Sequence, residues 1–477
     1  MKRISIFFSI SAFVLGILVS AGCLAQTVSF RADERFELTG IAARLAGYQE
    51  YRQGVVQSYN AAIDSYFAEF AGHDLITFMK RIRNENRIAY DAVPRATQAL
   101  VIENGGISVS QDADIAALCK TDPRWTEDDF IEFAELTDRF YRETNFHKFY
   151  VDNSSLYRRG NELMAKIAPV DTSWFGGFFG KDMSKVGLCL AFVNGPNSYL
   201  MPDNGIIDGT SLVYGLFFDP TMIDPQQIDG RTADVYIPGV ISNLCGVMVS
   251  PIVEEYGSLL EDAADVFFNQ YDIRNIMRKN GVEEPERLVY DWLQSLCTAL
   301  YFKDNGLVSF DYASVVSSAA RKGCFWLDSS IGKMEDFYAG RDGYGSFEGF
   351  VPELAEYFDD AAKNIRRERK HYASLFPEVV SAKVRKNYSS DTLAVEFVFS
   401  LPMHAESMDT GAYPYDEDGV VTVRPAIVPD DAGSLVVKIG KSDLEKGRIY
   451  GFTLPWKLFY SQKGYPMKGD YVFKFKY

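Results

Sequence analysis

The stretch Asp234–Phe268, DVYIPGVISNLCGVMVSPIVEEYGSLLEDAADVFF, limits what the chain can fold into more than any other. Apolar residues stand at Ile237, Val240, Ile241, Leu244, Val247 and Met248. Gaps of three and four wind them into one stripe along an α-helix. The period resumes at Ile252, Val253, Tyr256, Leu259, Leu260, Ala263 and Phe267. Pro251 between the two runs lacks the N–H that a helix interior needs, which predicts two core helices meeting at Ser250-Pro251. A stripe this long must be buried against other elements, so the rest of the chain has to supply a large core.

A further helix is predicted over Glu286–Phe302, with Leu288, Val289, Trp292, Leu293, Leu296 and Leu300 on one side. The pair resembles the active-site region of a secreted, zincin-like (metallopeptidase-clan) family of unknown function from Gram-negative gut bacteria. That family carries H-E-x-x-H-S-F-V-N-P on its metal helix. Val249-Ser250-Pro251 matches the closing V-N-P, which puts Ser242 and Gly246 at the two histidine positions and Asn243 at the glutamate. Gln294-Ser295-Leu296-Cys297-Thr298-Ala299 matches the family's E-x-L-V-R-A run, so Gln294 stands for the third ligand.

The resemblance therefore implies a hydrolase scaffold whose motif is degenerate. Two histidines four apart on a helix can share one Zn²⁺, with the glutamate between them as general base. Serine offers a poor neutral oxygen, glycine no side chain, and asparagine no basicity near neutral pH. Structural zinc in small peptides is worth about 10–16 kcal/mol of apparent binding, most of which should vanish with both imidazoles. The expected catalytic set is none, the expected metal none, and zinc is expected to be lost. Ser242 or Cys245 as a nucleophile is the alternative, but no G-x-S-x-G elbow occurs and the chain has 4 histidines. A metal held by ligands from elsewhere is another.

Residues 1–25 read as a secretion signal: Lys2 and Arg3, an apolar run from Ile4 to Val19, then small residues. Ser20-Ala21-Gly22-Cys23 approaches a lipobox, so lipidation of Cys23 is the alternative to cleavage after Ala25. Either route predicts an exported protein, periplasmic, extracellular or outer-membrane-associated in a Gram-negative bacterium, with no transmembrane segment after signal removal. The net charge of −16 argues against nucleic acid and anionic membrane surfaces as partners. Cys119, Cys189, Cys245, Cys297 and Cys324 follow no regular spacing and form no disulfide framework, although a single bridge is open outside the cytoplasm.

The remaining segments give an α+β chain. Residues 26–170 read as a helical N-terminal region; His73 and His147 lie there without a second ligand at helical spacing. Residues 171–376 read as the zincin-like mixed α/β domain with the degenerate helix. Trp174, Gly176, Gly177 and Gly180 mark a loop; Val186–Val193 and Ser211–Phe218 read as hairpin strands. By resemblance Ser211–Phe218 takes the place of the edge strand that pairs with extended substrate, making Tyr199, Tyr214 and Phe217 candidate binding residues. Asp203, Asn204 and Asp208 form an acidic turn without EF-hand spacing.

Helices are expected through Tyr312–Ala320 and Glu353–Ser374, with His371 on the last turn. From residue 377 to 477 the period becomes two, predicting an antiparallel β-sandwich, and VEFVFSLPMHAESM resembles a run in bacterial Ig-like modules. The functional expectation is an inactive peptidase-like protein that binds a peptide, protein or glycan. An active hydrolase with non-standard ligands and a structural or adhesive surface protein are the alternatives.

Overall fold

The computed structural model describes residues 27–28, 30–181, 183, 186–201, 210–224, 226–228, 230–306, 309–385, 391–404, 413–414, 417, 419–423, 426–431 and 434–477. The leader read in residues 1–25, Cys23, and the acidic turn at Asp203, Asn204 and Asp208 lie outside the described residues.

The fold is α+β, with helices packed through the N-terminal region and sheets at the C-terminal end. Local chemistry starts the first helices. Asp33 accepts from Arg35 N–H at the head of Glu34–Leu45, and Thr126 accepts from Asp129 N–H at the head of Glu127–Glu143. Glu127, Asp128 and Asp129 fill that first turn, where the helix dipole favours negative charge. A hairpin interrupts the helical array: Leu100–Glu103 pairs with Gly106–Val109 across Asn104 and Gly105, both at positive φ. Asn-Gly is the two-residue turn that matches strand twist, a signal present in the sequence but not read there.

Thr172–Phe179 is a helix, not the loop its glycines suggested. Asp171 caps it, Trp174 stacks on Phe178 with ring centroids 4.4 Å apart, and Phe175, Phe178 and Phe179 are buried. Burying three phenylalanines outweighs the roughly 1 kcal/mol that each helical glycine costs.

The central sheet also differs from the expectation. Val186–Ala191 and Thr210–Gly215 run parallel, not as a hairpin, with Cys189 opposite Val213. Tyr199–Met201, inside the connection, pairs antiparallel with the other side of Thr210–Gly215. The strand expected at a free edge is therefore the middle strand of three. On the far side of Val186–Ala191, Arg31 exchanges backbone hydrogen bonds with Leu188 and Leu190.

Gly230–Phe268 is one helix that passes through Pro238 and Pro251 without ending, so the expected division at Ser250-Pro251 does not occur. Proline inside a helix costs about 3 kcal/mol. Ile241, Leu244, Val249, Ile252, Val253 and Leu260 are buried on both sides of Pro251, each stabilising by about 1.5–3 kcal/mol. Packing wins over the local break. By length and composition Ile237–Phe268 is apolar enough to cross a membrane, the one such stretch among the described residues, but 61% of its most apolar 18 residues are buried inside the protein.

The long helix lies along Pro285–Asp304, and Phe267 stacks on Trp326 at 3.9 Å while Trp292 stacks on Phe358 at 4.3 Å. One apolar core extends from Phe30 to Leu375. A second fills the sandwich, between the sheet of Val379–Arg385, Thr392–Phe399, Ser434–Gly440 and Ala426–Asp431 and the sheet built on Ile449–Leu454. The sandwich is not wholly antiparallel: Val420–Thr422 runs parallel to Ile449–Leu454. Val420–Thr422 and Ala426–Asp431, close in sequence, lie in different sheets.

Candidate functional site

Positions 242 and 246 lie one turn apart on the long helix, and position 294 faces them from Pro285–Asp304. Gln294 Nε2 donates to the Ser242 carbonyl at 2.8 Å. Gly246 is buried against the same amide: a Cβ there would stand 2.8 Å from Gln294 Nε2 and closer still to the Tyr290 hydroxyl. Ser242, Gly246 and Gln294 thus lie together at the contact of the two helices. Tyr290 completes the group and was not anticipated. It precedes Gln294 by one helical turn, so the i, i+4 spacing carried the signal.

Asn243 does not join them. Its Nδ2 donates to the Gly239 carbonyl of its own helix at 2.8 Å. Arg287 lies over the Tyr290 ring at 4.5 Å and pairs with Asp291 at 3.2 Å, fixing the ring from the outside. Thr298 Oγ1 donates to the Gln294 carbonyl, and Cys245 bonds to the Thr298 side chain.

These groups do not suit zinc. The first coordination shell would need imidazole or carboxylate donors. What is present is a backbone carbonyl already accepting an amide, a glycine, a neutral amide and a phenol. Burial raises the Tyr290 phenol, and the Arg287 cation opposes that rise without cancelling it. Nor does Cys245 offer a nucleophile: burial pushes its thiol up to about 12, leaving negligible thiolate at neutral pH. The cysteines are free thiols, with Cys189, Cys245, Cys297 and Cys324 buried.

The histidines are engaged elsewhere. His73 Nδ1 accepts from Leu75 N–H at a helix start, and Nε2 lies 3.2 Å from Glu143. His147 lies 3.0 Å from Glu34, and His371 lies 2.8 Å from Asp328. Among the described residues no group of three or more His, Cys, Asp or Glu side chains converges as a metal cage.

The candidate binding aromatics divide. Tyr214 is buried between Phe30 and Phe217, at ring distances of 5.6 Å from each, and its hydroxyl approaches the long helix at Gly239. Phe217 is 40% exposed. Tyr199 is buried and packs on Tyr51, 6.3 Å away, in the N-terminal region.

No family model and no curated protein matches the chain. A solved structure described as the S-layer protein rSbsC(31-844) aligns over 51% of this chain and 33% of that one, at 12% identity and TM-score 0.18. The chain thus spans about a third of that protein, and at this score the likeness carries no argument.

Proposed function

We propose that the protein is an exported, catalytically inactive member of the zincin-like architecture, working by binding a peptide, protein or glycan rather than by cleaving one. One observation carries this reading: the Gln294 amide is bonded to the Ser242 carbonyl, while Tyr290 and Gln294 close over Gly246. The three positions that the degenerate motif assigns to metal ligands are adjacent, and helix packing occupies the space between them.

Purification with zinc supplied, followed by metal analysis and a broad peptidase assay with and without chelator, tests the proposal. The expected result is zinc far below one per chain and no chelator-sensitive cleavage. Stoichiometric zinc with cleavage that a chelator abolishes would overturn it.

A second reading, a structural or adhesive surface role, is favoured by the burial of Tyr199 and Tyr214 and by the central place of Thr210–Gly215 in its sheet. A strand paired on both sides has no edge left for an extended peptide. Under this reading the exposed faces of the molecule, not the old cleft, make the contacts.

A further inference from the structure

A turn of the C-terminal sandwich penetrates the helical body. Ser461 N–H donates to the Tyr465 carbonyl at 2.8 Å, and Tyr465 N–H returns to Ser461 Oγ at 3.1 Å. The turn carries Tyr465 into the body's core, where it is 1% exposed and packs on Phe376 with rings 5.6 Å apart. Its hydroxyl reaches Asp328 Oδ1 at 3.3 Å.

Asp328 opens the helix Leu327–Ala339 and gathers donors from two more body helices. Tyr312, on Ser309–Arg321, donates to Oδ1 at 3.0 Å, and His371 Nε2, on Ile365–Ser374, lies 2.8 Å from Oδ2. The Asp328 side chain is 10% exposed and His371 is 40% exposed. A cavity of about 410 Å³, lined by Phe302, Tyr312, Asp328, Ile331 and Lys463, opens beside them and gives water a route to the pair.

We propose that Asp328 and His371 form a proton-operated clamp on the C-terminal sandwich, holding the Ser461–Tyr465 turn firmly while the imidazole is charged and loosening it when the proton leaves. A buried carboxylate needs its charge compensated. With imidazolium on Oδ2 it has an ion pair and two hydroxyl donors. With neutral imidazole it keeps the two hydroxyls and the Lys463 charge that shares the cavity, a weaker compensation, and admitting water by easing the turn becomes the more favourable arrangement.

The groups that face His371 are Asp328, Glu368 one turn earlier on its own helix, and Lys463 from the sandwich turn. The hydrogen bond to Asp328 raises the imidazole above its ordinary value, burial opposes this, and Lys463 lowers it. Burial alone would raise Asp328, but the hydrogen bonds from His371 and Tyr312 hold it below the usual carboxylate range. Lys303 and Glu335 pair with each other across the cavity, and Glu368 is tied to Ser329 and Arg367. The clamp is therefore firmest below the free histidine value of 6.5 and weakens as pH rises through the raised folded value.

Hydrogen exchange of the Ser461 and Tyr465 amides, expressed as protection factors, tests this on the full chain between about pH 6 and about pH 8. The expected fall across that range is about three- to fivefold, the scale of a half-exposed ion pair. His371→Gln, a neutral donor at a half-exposed site, should hold the lower protection at both pH values. Tyr465→Phe keeps the ring, removes the link to Asp328, and should also abolish the pH response. A flat wild-type profile, or a wild-type response surviving in either variant, would overturn the clamp.

Discussion

Glu37 is wholly enclosed by the first helix, the chain at Phe192 and two tyrosines, and its partners are neutral. Phe192 N–H donates to Oε1 at 2.8 Å and the Tyr59 hydroxyl to Oε2 at 2.7 Å, with Tyr157 next in line 2.6 Å beyond. Burial pushes its carboxyl up to about 7, against the opposing pull of those two hydrogen bonds. Below the unfolded value of 4.5 both states hold the proton and the contribution to stability is complete. Above it the unfolded chain ionises first, so the contribution fades and is lost as pH passes about 7. The loss is at most about 3 kcal/mol by the usual conversion. Denaturant titrations at several pH values should show the wild type weakening from acid to alkaline. Glu37→Gln, whose amide stays neutral at every pH and keeps an acceptor oxygen, should flatten that slope by about the same amount.

Between elements, the contact of Gly230–Phe268 with Pro285–Asp304 is where the packing is tightest around the candidate positions. Gly246→Ala should force Tyr290 and Gln294 outward and cost about 1–3 kcal/mol, seen as a lower melting temperature. Placing metal ligands at these positions should succeed only weakly for the same reason. Ser242→His, Asn243→Glu, Gly246→His and Gln294→Glu together are expected to bind zinc weakly, and Tyr290→Ala added to them should improve it, as read by metal analysis. No gain from Tyr290→Ala would mean that the phenol is not what fills the site. Much of this contact was legible in the sequence. The stripes on both helices are local periodicities, whereas positions 242, 246 and 294 were singled out by resemblance alone. The passage through Pro251 was not, because a proline's local cost is visible in the sequence while the burial on either side of it is not. The order of the central strands was equally hidden, since pairing depends on what the connection itself inserts at Tyr199–Met201. Tyr290 sat in plain spacing, but its role exists only once two helices are laid together.

At the scale of the whole molecule, the core of the helical body takes one residue from the sandwich: Tyr465, carried by the sandwich turn and buried in the body. Tyr465→Ala should remove about 3–5 kcal/mol, the range for large aromatics in cores. Calorimetry should show the loss in the melting of the helical body as well as that of the sandwich. A shift confined to the sandwich would mean that the turn merely rests on the surface. Synthesis runs from the N-terminus, and Tyr465 follows the body's other core residues, the last of which is Leu375. A nascent chain therefore emerges from the ribosome with the body built around an unfilled socket, and only when the final sandwich strands are being made does the piece that seals it arrive. Closure of the body's core by Tyr465 thus waits until nearly the whole chain has been made.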